Sequence, residues 1–524
     1  MINQVGRDIP DVYLKDGVEP FQGIYYRDDY EYTKAAPTVH AYVKPNGDKL
    51  VDSIHDVLIK SGLKDGMTIS FHHHLRDGDF VVNLVMKEIH KLGIKNLTVC
   101  ASSLGRAHNY LVPCIEDGTV TGISTSGIRD EIGEVISAGK LKHPAIIRSH
   151  GGRARAIEDG SVKIDVAFIG ASTSDAYGNA SGKGGQSDTG VLSYADGDAK
   201  YADKVVIITD KIVAAPNFPA SIKGVDVDYV VKVDSIGDAS KIASGALRLT
   251  KDTRELNMAK EVAKCMYHSG YFKNGFTFQT GAGGSSLATT SFLKAYMAKD
   301  NIKCGWAMGG ITEPIVNLFN EGFVNKVLDD QAFDLAAVAS AHTKGHFEIS
   351  ASQYANPFNK GAFVNQLNFV ILGALEVDTA FNVNVVQGSN GVLRGAPGGH
   401  PDTAAGADVS IIVAPLIRSR MPTVRDRVTS VTTPGESIDI VVTDYGVAVN
   451  PKRQDLLKAF ADTDIPLKTI EELRDLAYQY AGKPEPVEFD DQVVALVEYR
   501  DGTIIDVIRK PKRLNYSQKA LDKF

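Results

Sequence analysis

Cysteine is scarce in this chain of 524 residues: Cys100, Cys114, Cys265 and Cys304 are its four, and none stands in a CxxC pair. Such usage offers no disulfide framework and points to a reducing, cytoplasmic setting. Long basic runs are missing as well, and the net charge is −7, which argues against a nucleic-acid surface. The short stretch Arg509-Lys-Pro-Lys-Arg513 is too small to change that. No apolar run approaches the roughly 18 residues of a membrane span. Met1 is followed by polar Asn3, Gln4, Arg7 and Asp8, so no signal peptide is expected to begin here. A GxGxxG dinucleotide fingerprint is lacking too, because Ser286 stands where the third glycine of Gly281-Ala-Gly-Gly-Ser-Ser286 would be.

Glycine, by contrast, is plentiful, with 49 residues beside 43% hydrophobic and 23% charged ones, the profile of an α/β protein rich in turns. The length exceeds one core and suggests two domains of roughly 200 to 250 residues. The two halves echo one another. Lys64-Asp-Gly-Met-Thr-Ile-Ser-Phe71 resembles Lys273-Asn-Gly-Phe-Thr-Phe-Gln-Thr280, Ala202 to Thr209 resembles Ala407 to Ala414, and Val227 to Val233 resembles Ile438 to Asp444. Their offset of ~210 residues is too long for a solenoid unit and right for a duplicated domain.

The fold expected is therefore α/β, two tandem related domains, each a mostly parallel sheet flanked by helices. Residues 1–45 read as an arm packing on the body or on a neighbouring subunit, 46–245 as the first domain, and 246–524 as the second with a C-terminal hairpin. That hairpin turns at Asp501-Gly502. Strands are expected at Thr68–Phe71, Leu97–Cys100, Ala145–Arg148, Val166–Ile169 and Val205–Thr209. In the second half they are expected at Thr277–Thr280, Ala307–Gly309, Phe381–Val386, Ile411–Ala414 and Ile438–Thr443. A cleft between the domains is the expected ligand site, which favours an enzyme over a scaffold.

Five stretches can carry chemistry. Gly281-Ala-Gly-Gly284 follows a strand and opens a helix, so its N–H groups can meet an anion, although a plain turn explains it equally well. In Gly309-Gly-Ile-Thr-Glu-Pro314, Thr312 can cap a helix and Glu313 can complement its dipole. The same Glu313 at a strand's carboxyl end could attack an acyl thioester, and both accounts stand. In Phe71-His-His-His-Leu-Arg76, His72 and His74 face one way and His73 the other. Adjacent histidines rarely converge on one metal, so no metal site is expected; with Arg76 they could bind a carboxylate-rich substrate. Arg148-Ser-His-Gly-Gly-Arg153 has the same character, offering Ser149, His150 and Arg153. Gly398-Gly-His-Pro-Asp402 reads as a long functional loop between strands.

Together these motifs resemble the two-domain CoA-transferases and, within them, the citrate lyase alpha subunit family, over essentially the whole chain. Asp175-Ala-Tyr-Gly-Asn179 and Asp444-Tyr-Gly446 recur across the superfamily, while the triple histidine and Thr312-Glu-Pro314 narrow it to the citrate branch. The resemblance implies a citrate:acetyl-carrier-protein transferase that exchanges acetyl for citrate on a thioester. It implies no cofactor bound by this chain, which would act on the phosphoribosyl-dephospho-CoA arm of an acyl carrier protein (the gamma subunit). It implies a beta subunit as the lyase partner and a homo-oligomer. Catalytic roles fall on Glu313, Gly283 and Gly284, with the glycines as oxyanion donors. Citrate would meet His72, His73, His74, Arg76, Ser149, His150, Arg153 and Thr312, and the thioester arm Gly281, Gly283, Gly398, Gly399 and Asp402. In the citrate branch citrate attacks the acetyl thioester directly in a ternary complex, which leaves Glu313 to position citrate or polarise the thioester. The alternatives are an acyl-CoA transferase or thioester hydrolase using free CoA, and a non-catalytic citrate- or carrier-binding subunit.

Overall fold

Runs such as Phe369-Val-Ile-Leu372 are buried along their whole length, so they belong to sheets covered on both faces. Two large sheets result. The computed structural model describes residues 1–15, 17–26, 35, 45–243 and 250–514, and the boundary expected at 245/246 lies outside them. The first sheet runs Leu50–Val51, Tyr229–Lys232, Lys204–Thr209, Val166–Ala171, Thr68–Phe71, Leu97–Ala101, Val120–Thr125, Ala145–Ile147, Phe489–Glu498, Ile504–Pro511. The second runs His346–Glu348, Val327–Ala332, Trp306–Ile311, Thr277–Thr280, Phe369–Leu372, Val409–Val413, Ile440–Thr443, Gly446–Val449.

Each sheet is built on the same plan. Leaving out the edge strand Leu50–Val51 and the C-terminal hairpin of the first sheet, parallel strands lie by chain position in the order fourth, third, second, first, fifth, sixth, seventh, beginning at Ala145–Ile147 in one and at His346–Glu348 in the other. Thr68–Phe71 and Thr277–Thr280 are thus equivalent, and a duplicated fold accounts for the echo between the halves.

Two expectations need correction. The C-terminal hairpin is part of the first sheet, not of the second domain: Ala495, Leu496 and Val497 pair in parallel with Ala145, Ile146 and Ile147. That edge would otherwise leave backbone groups unpaired, and Arg148 Nε and Nη2 clamp the join by donating to Glu498 at 2.7 and 2.8 Å. A contact across some 350 residues leaves no local mark in sequence. The described part of the N-terminal arm packs there too, with Ile9 against Leu496 and Ile504 and Phe21 against Tyr499.

The strand expected at Phe381–Val386 shrinks to Val383–Asn384 in a separate three-stranded sheet, because Phe381 takes a left-handed φ of 64°. Main-sheet strands unseen in the sequence include Val120-Thr-Gly-Ile-Ser-Thr125 and Val327-Leu-Asp-Asp-Gln-Ala332. Their small or acidic residues hide a fully buried strand, and the second of them carries an acid into the site.

Candidate functional site

In α/β sheets loops at the carboxyl ends of strands form ligand crevices, and here two such sets of loops face each other. They enclose a cavity of about 300 Å³. His73, Arg76, Ser103, Ser126, Arg129, His150 and Tyr194 line it from the first half. Gln279 to Gly283, Gly310, Asp330, Gln331, Phe333, Tyr354, Gly373 and Pro397 to His400 line it from the second. An adjoining cavity of about 350 Å³ shares His73, Arg76, Ser103, Arg129 and Ala282, and adds Asp77, Gly105, His108 and Asp130.

The three histidines divide as their alternation requires. His72 and His74 turn inward with rings 6.0 Å apart, and His72 Nε2 lies 3.0 Å from Asp198 Oδ2. Arg153 donates to both oxygens of the same carboxylate at 2.8 and 2.7 Å. Burial pushes Asp198 up, but Arg153 and His72 outweigh it and hold the carboxyl well below the usual range. Arg153, His72 and His74 therefore do not line the cavity; they brace its floor. His73 faces the cavity, its Nδ1 2.6 Å from Ser102 Oγ and its ring stacked on Tyr194. His150 joins them, with Nε2 3.2 Å from the Tyr194 hydroxyl.

Burial lowers His73 well below the ordinary histidine value, and burial followed by Arg153 lowers His150 to about 3. Both rings touch the cavity and keep some hydration, yet enough protein surrounds each to favour the neutral form. Both are therefore neutral near pH 7 and meet a carboxylate-rich substrate through hydrogen bonds rather than charge. Positive charge comes from Arg76 and from Arg129, which sequence reading missed. Burial and then Arg129 bring Arg76 down to about 10, so it stays protonated at neutral pH. Its guanidinium lies 4.4 Å from the Phe333 ring centroid. Arg129 is solvent-accessible where it lines both cavities, and it occupies the N-cap position of helix Asp130–Ser137. In Gly127-Ile-Arg-Asp130 nothing separates it from an ordinary turn arginine.

Backbone adds to this field. Helix Gly284–Asp300 starts at Gly283 with no side-chain cap, leaving its first N–H groups to the Gly281–Gly283 wall. Helices His150–Glu158 and His400–Gly406 start at the same cavity. Gly399 must be glycine, since a Cβ there would sit 2.0 Å from the Tyr354 hydroxyl.

Several expected residues lie elsewhere. Ser149 and Asp402 engage each other: the hydroxyl donates to Oδ1 at 2.7 Å, and the Gly151 N–H donates to Oδ2 at 2.9 Å. They stitch the two halves together behind the cavity wall. Thr312 holds an N-cap position without a side-chain cap bond, and Asp334 instead accepts from the Glu313 N–H at 2.7 Å. Glu313 is exposed in that first turn, and neither it, Thr312 nor Gly284 lines the cavity, although Gly310 does. The carboxyl in the wall is Asp330, which is 2% exposed. Among the described residues, no group of three or more His, Cys, Asp or Glu is arranged to hold a metal, and no helix is long and apolar enough to cross a membrane.

Comparisons with known proteins agree over nearly the full length. The family model for the citrate lyase alpha subunit matches residues 47–511. The citrate lyase alpha chain of Haemophilus influenzae is 51% identical over 93% of this chain and 98% of its own. That of Klebsiella pneumoniae is 49% identical over 95% and 97%. A crystal structure of the citrate lyase alpha subunit from Streptococcus mutans in complex with citrate superposes with a TM-score of 0.92. It is 50% identical and covers 97% of this chain and 99% of that one. The alpha subunit of a malonate decarboxylase from Acinetobacter baumannii shares the fold at a TM-score of 0.61 and 16% identity, covering 82% of this chain and 86% of its own.

Proposed function

The chain belongs to the citrate lyase alpha subunit family and is an enzyme of the transferase class, and from that premise we propose that it exchanges acetyl for citrate on the thioester of an acyl carrier protein. One observation carries this reading. Arg76 and Arg129 stand at the wall shared by two cavities, and the uncapped start of helix Gly284–Asp300 lines one of them. A tricarboxylate suits the arginines, since charge-assisted hydrogen bonds to carboxylates are the strong ones. The helix start suits an oxyanion, and the adjoining cavity gives room for the carrier's thioester arm, a substrate rather than a resident cofactor.

The chemistry follows from these placements. A citrate carboxylate oxygen bonds to the acetyl carbon, and the negative charge that develops on the carbonyl oxygen meets the N–H groups around Gly283. The carbon–sulfur bond then breaks, its electron pair staying with the thiolate. The thiolate attacks the citryl carbonyl of the resulting anhydride, and acetate leaves with the electron pair of the broken carbon–oxygen bond. Neither step needs a net proton. Neutral His73 and His150 orient the carboxylates, and holding both reactants side by side supplies much of the rate. Glu313, exposed outside the cavity, stays unacylated in this reading. A lyase beta subunit and the carrier protein complete the assembly.

The test is turnover by the purified chain with acetyl carrier protein and citrate, followed as citryl carrier protein and acetate. No transfer, with citrate bound, would leave a binding subunit. Equal rates with free CoA thioesters would favour the acyl-CoA transferase reading.

A further inference from the structure

Asp330 is the one cavity feature that runs against an anionic substrate. It lies on the buried strand Val327–Ala332, outside the wall shared with the adjoining cavity, and its buried Oδ1 has no hydrogen-bond partner in the protein. An ionised carboxylate there would repel a tricarboxylate, and an acid there would donate to one. We infer that Asp330 is the hydrogen-bond donor that holds one carboxylate of the tricarboxylate, in the part of the cavity outside the arginines' shared wall. The inference rests on the proposed function for its substrate class, and the arginines then take the remaining carboxylates.

The surroundings keep this acid protonated. Burial pushes Asp330 well above the ordinary aspartate value, the Tyr194 hydroxyl partly offsets this by hydrogen bonding, and Asp329 and Asp402 raise it further. The other titratable groups around it leave the balance in place. Tyr354 is buried and pushed far above its usual value, His150 is neutral, and Asp329, 2.9 Å from His346 Nε2, is itself raised by burial. The sign follows: the protonated form binds, so citrate affinity is constant at low pH and falls as pH rises through the Asp330 value.

The experiment measures citrate binding by calorimetry on the full chain from pH 5 to 9, for wild type, Asp330→Asn and Asp330→Ala. Ratios between variants cancel citrate's own ionisation. Asp330→Asn keeps a donor and cannot ionise, so it should match wild type at low pH and bind more tightly than wild type once pH exceeds the Asp330 value. Asp330→Ala should bind at least tenfold more weakly than wild type at pH 5. Tyr194→Phe, which removes a hydrogen bond that lowers Asp330, should move the fall in affinity to higher pH; this variant stands in should the Asp330 variants misfold, as thermal unfolding would reveal. Wild-type affinity in the Ala variant, or a loss of affinity in the Asn variant at pH 5, overturns the inference alone. Absence of citrate binding by wild type at any pH overturns the functional reading beneath it.

Discussion

Two strand ends occupy the same place in the duplicated fold and offer opposite chemistry. After Thr68–Phe71 the chain continues His72-His-His-Leu-Arg76, and after Thr277–Thr280 it continues Gly281-Ala-Gly-Gly284. The first end works through side chains: His73 and Arg76 in the cavity, His72 and His74 bracing it from below. The second works through backbone, where the absence of side chains leaves the helix start bare. Duplication supplied two equivalent platforms, and in the function proposed above one meets the charged substrate and the other the developing oxyanion. A single platform could not do both, since bulky side chains such as His73 and Arg76 and a bare helix terminus exclude each other at one turn.

The strongest blow to the first platform should come from beneath it. Asp198→Ala leaves the buried Arg153 guanidinium without its anion, and such a change costs about 3–5 kcal/mol. Denaturant unfolding should register the loss while citrate contacts stay chemically intact. Because the native Asp198 value is depressed, its stabilisation is complete above the ordinary aspartate value and is lost as pH falls through the native one. A loss below 1 kcal/mol would mean that this triad does not support the histidine turn.

The second platform can be tested without disturbing the fold. A Cβ at Gly283 would meet no atom within 4 Å, and its φ of −75° suits any residue. Gly283→Val should therefore fold normally, yet its side chain would cover the bare N–H groups and lower transfer by about 100-fold, the scale of losing an oxyanion donor. Wild-type turnover in this variant would remove the helix start from catalysis.

Arg76→Ala tests the charge on the first platform directly. Citrate affinity should fall by about 1.5–3 kcal/mol, the range of hydrogen bonds to charged groups, as read by calorimetry. Unchanged affinity would hand the whole load to Arg129.

Smaller effects sharpen the neutral-histidine reading. His150 is lowered to about 3 in the folded chain against an ordinary 6.5, so its contribution is complete above 6.5 and is lost as pH falls towards 3. Stability should decline across that window more steeply in wild type than in His150→Gln, by less than about 1.4 kcal/mol per pH unit. Identical slopes would show that the ring is fully hydrated. The smallest change expected is at Glu313. Glu313→Gln should lower transfer by less than the about 100-fold that marks loss of a general acid or base. Mass spectrometry of quenched wild type should find no acyl or CoA adduct on it; an adduct would restore the covalent route.

Much of this was legible from residues alone, but unevenly. The glycine turn Gly281-Ala-Gly-Gly284 announces itself between an expected strand and a helix, and strand Thr277–Thr280 and helix Gly284–Asp300 flank it in the structure. The hairpin turn at Asp501-Gly502 was equally plain, since a local motif needs only local residues. Its home in the first sheet was not, because strand pairing across the chain depends on which edge lies open. The alternation of His72, His73 and His74 gave their directions, whereas their charge state depended on burial that spacing cannot express.

By itself, the sequence determined the duplicated α/β plan, the glycine turn, the histidine–arginine turn equivalent to it and the family, because periodicity, turn chemistry and repeated motifs are properties of neighbours along the chain. Tertiary structure alone decided which candidates meet. It sent Arg153 to Asp198 and Ser149 to Asp402, left Glu313 at the surface, and brought in Arg129 and Asp330. The physical reason is that a charge seeks its nearest compensation in space, and in a buried medium that choice is made by packing rather than by order along the chain.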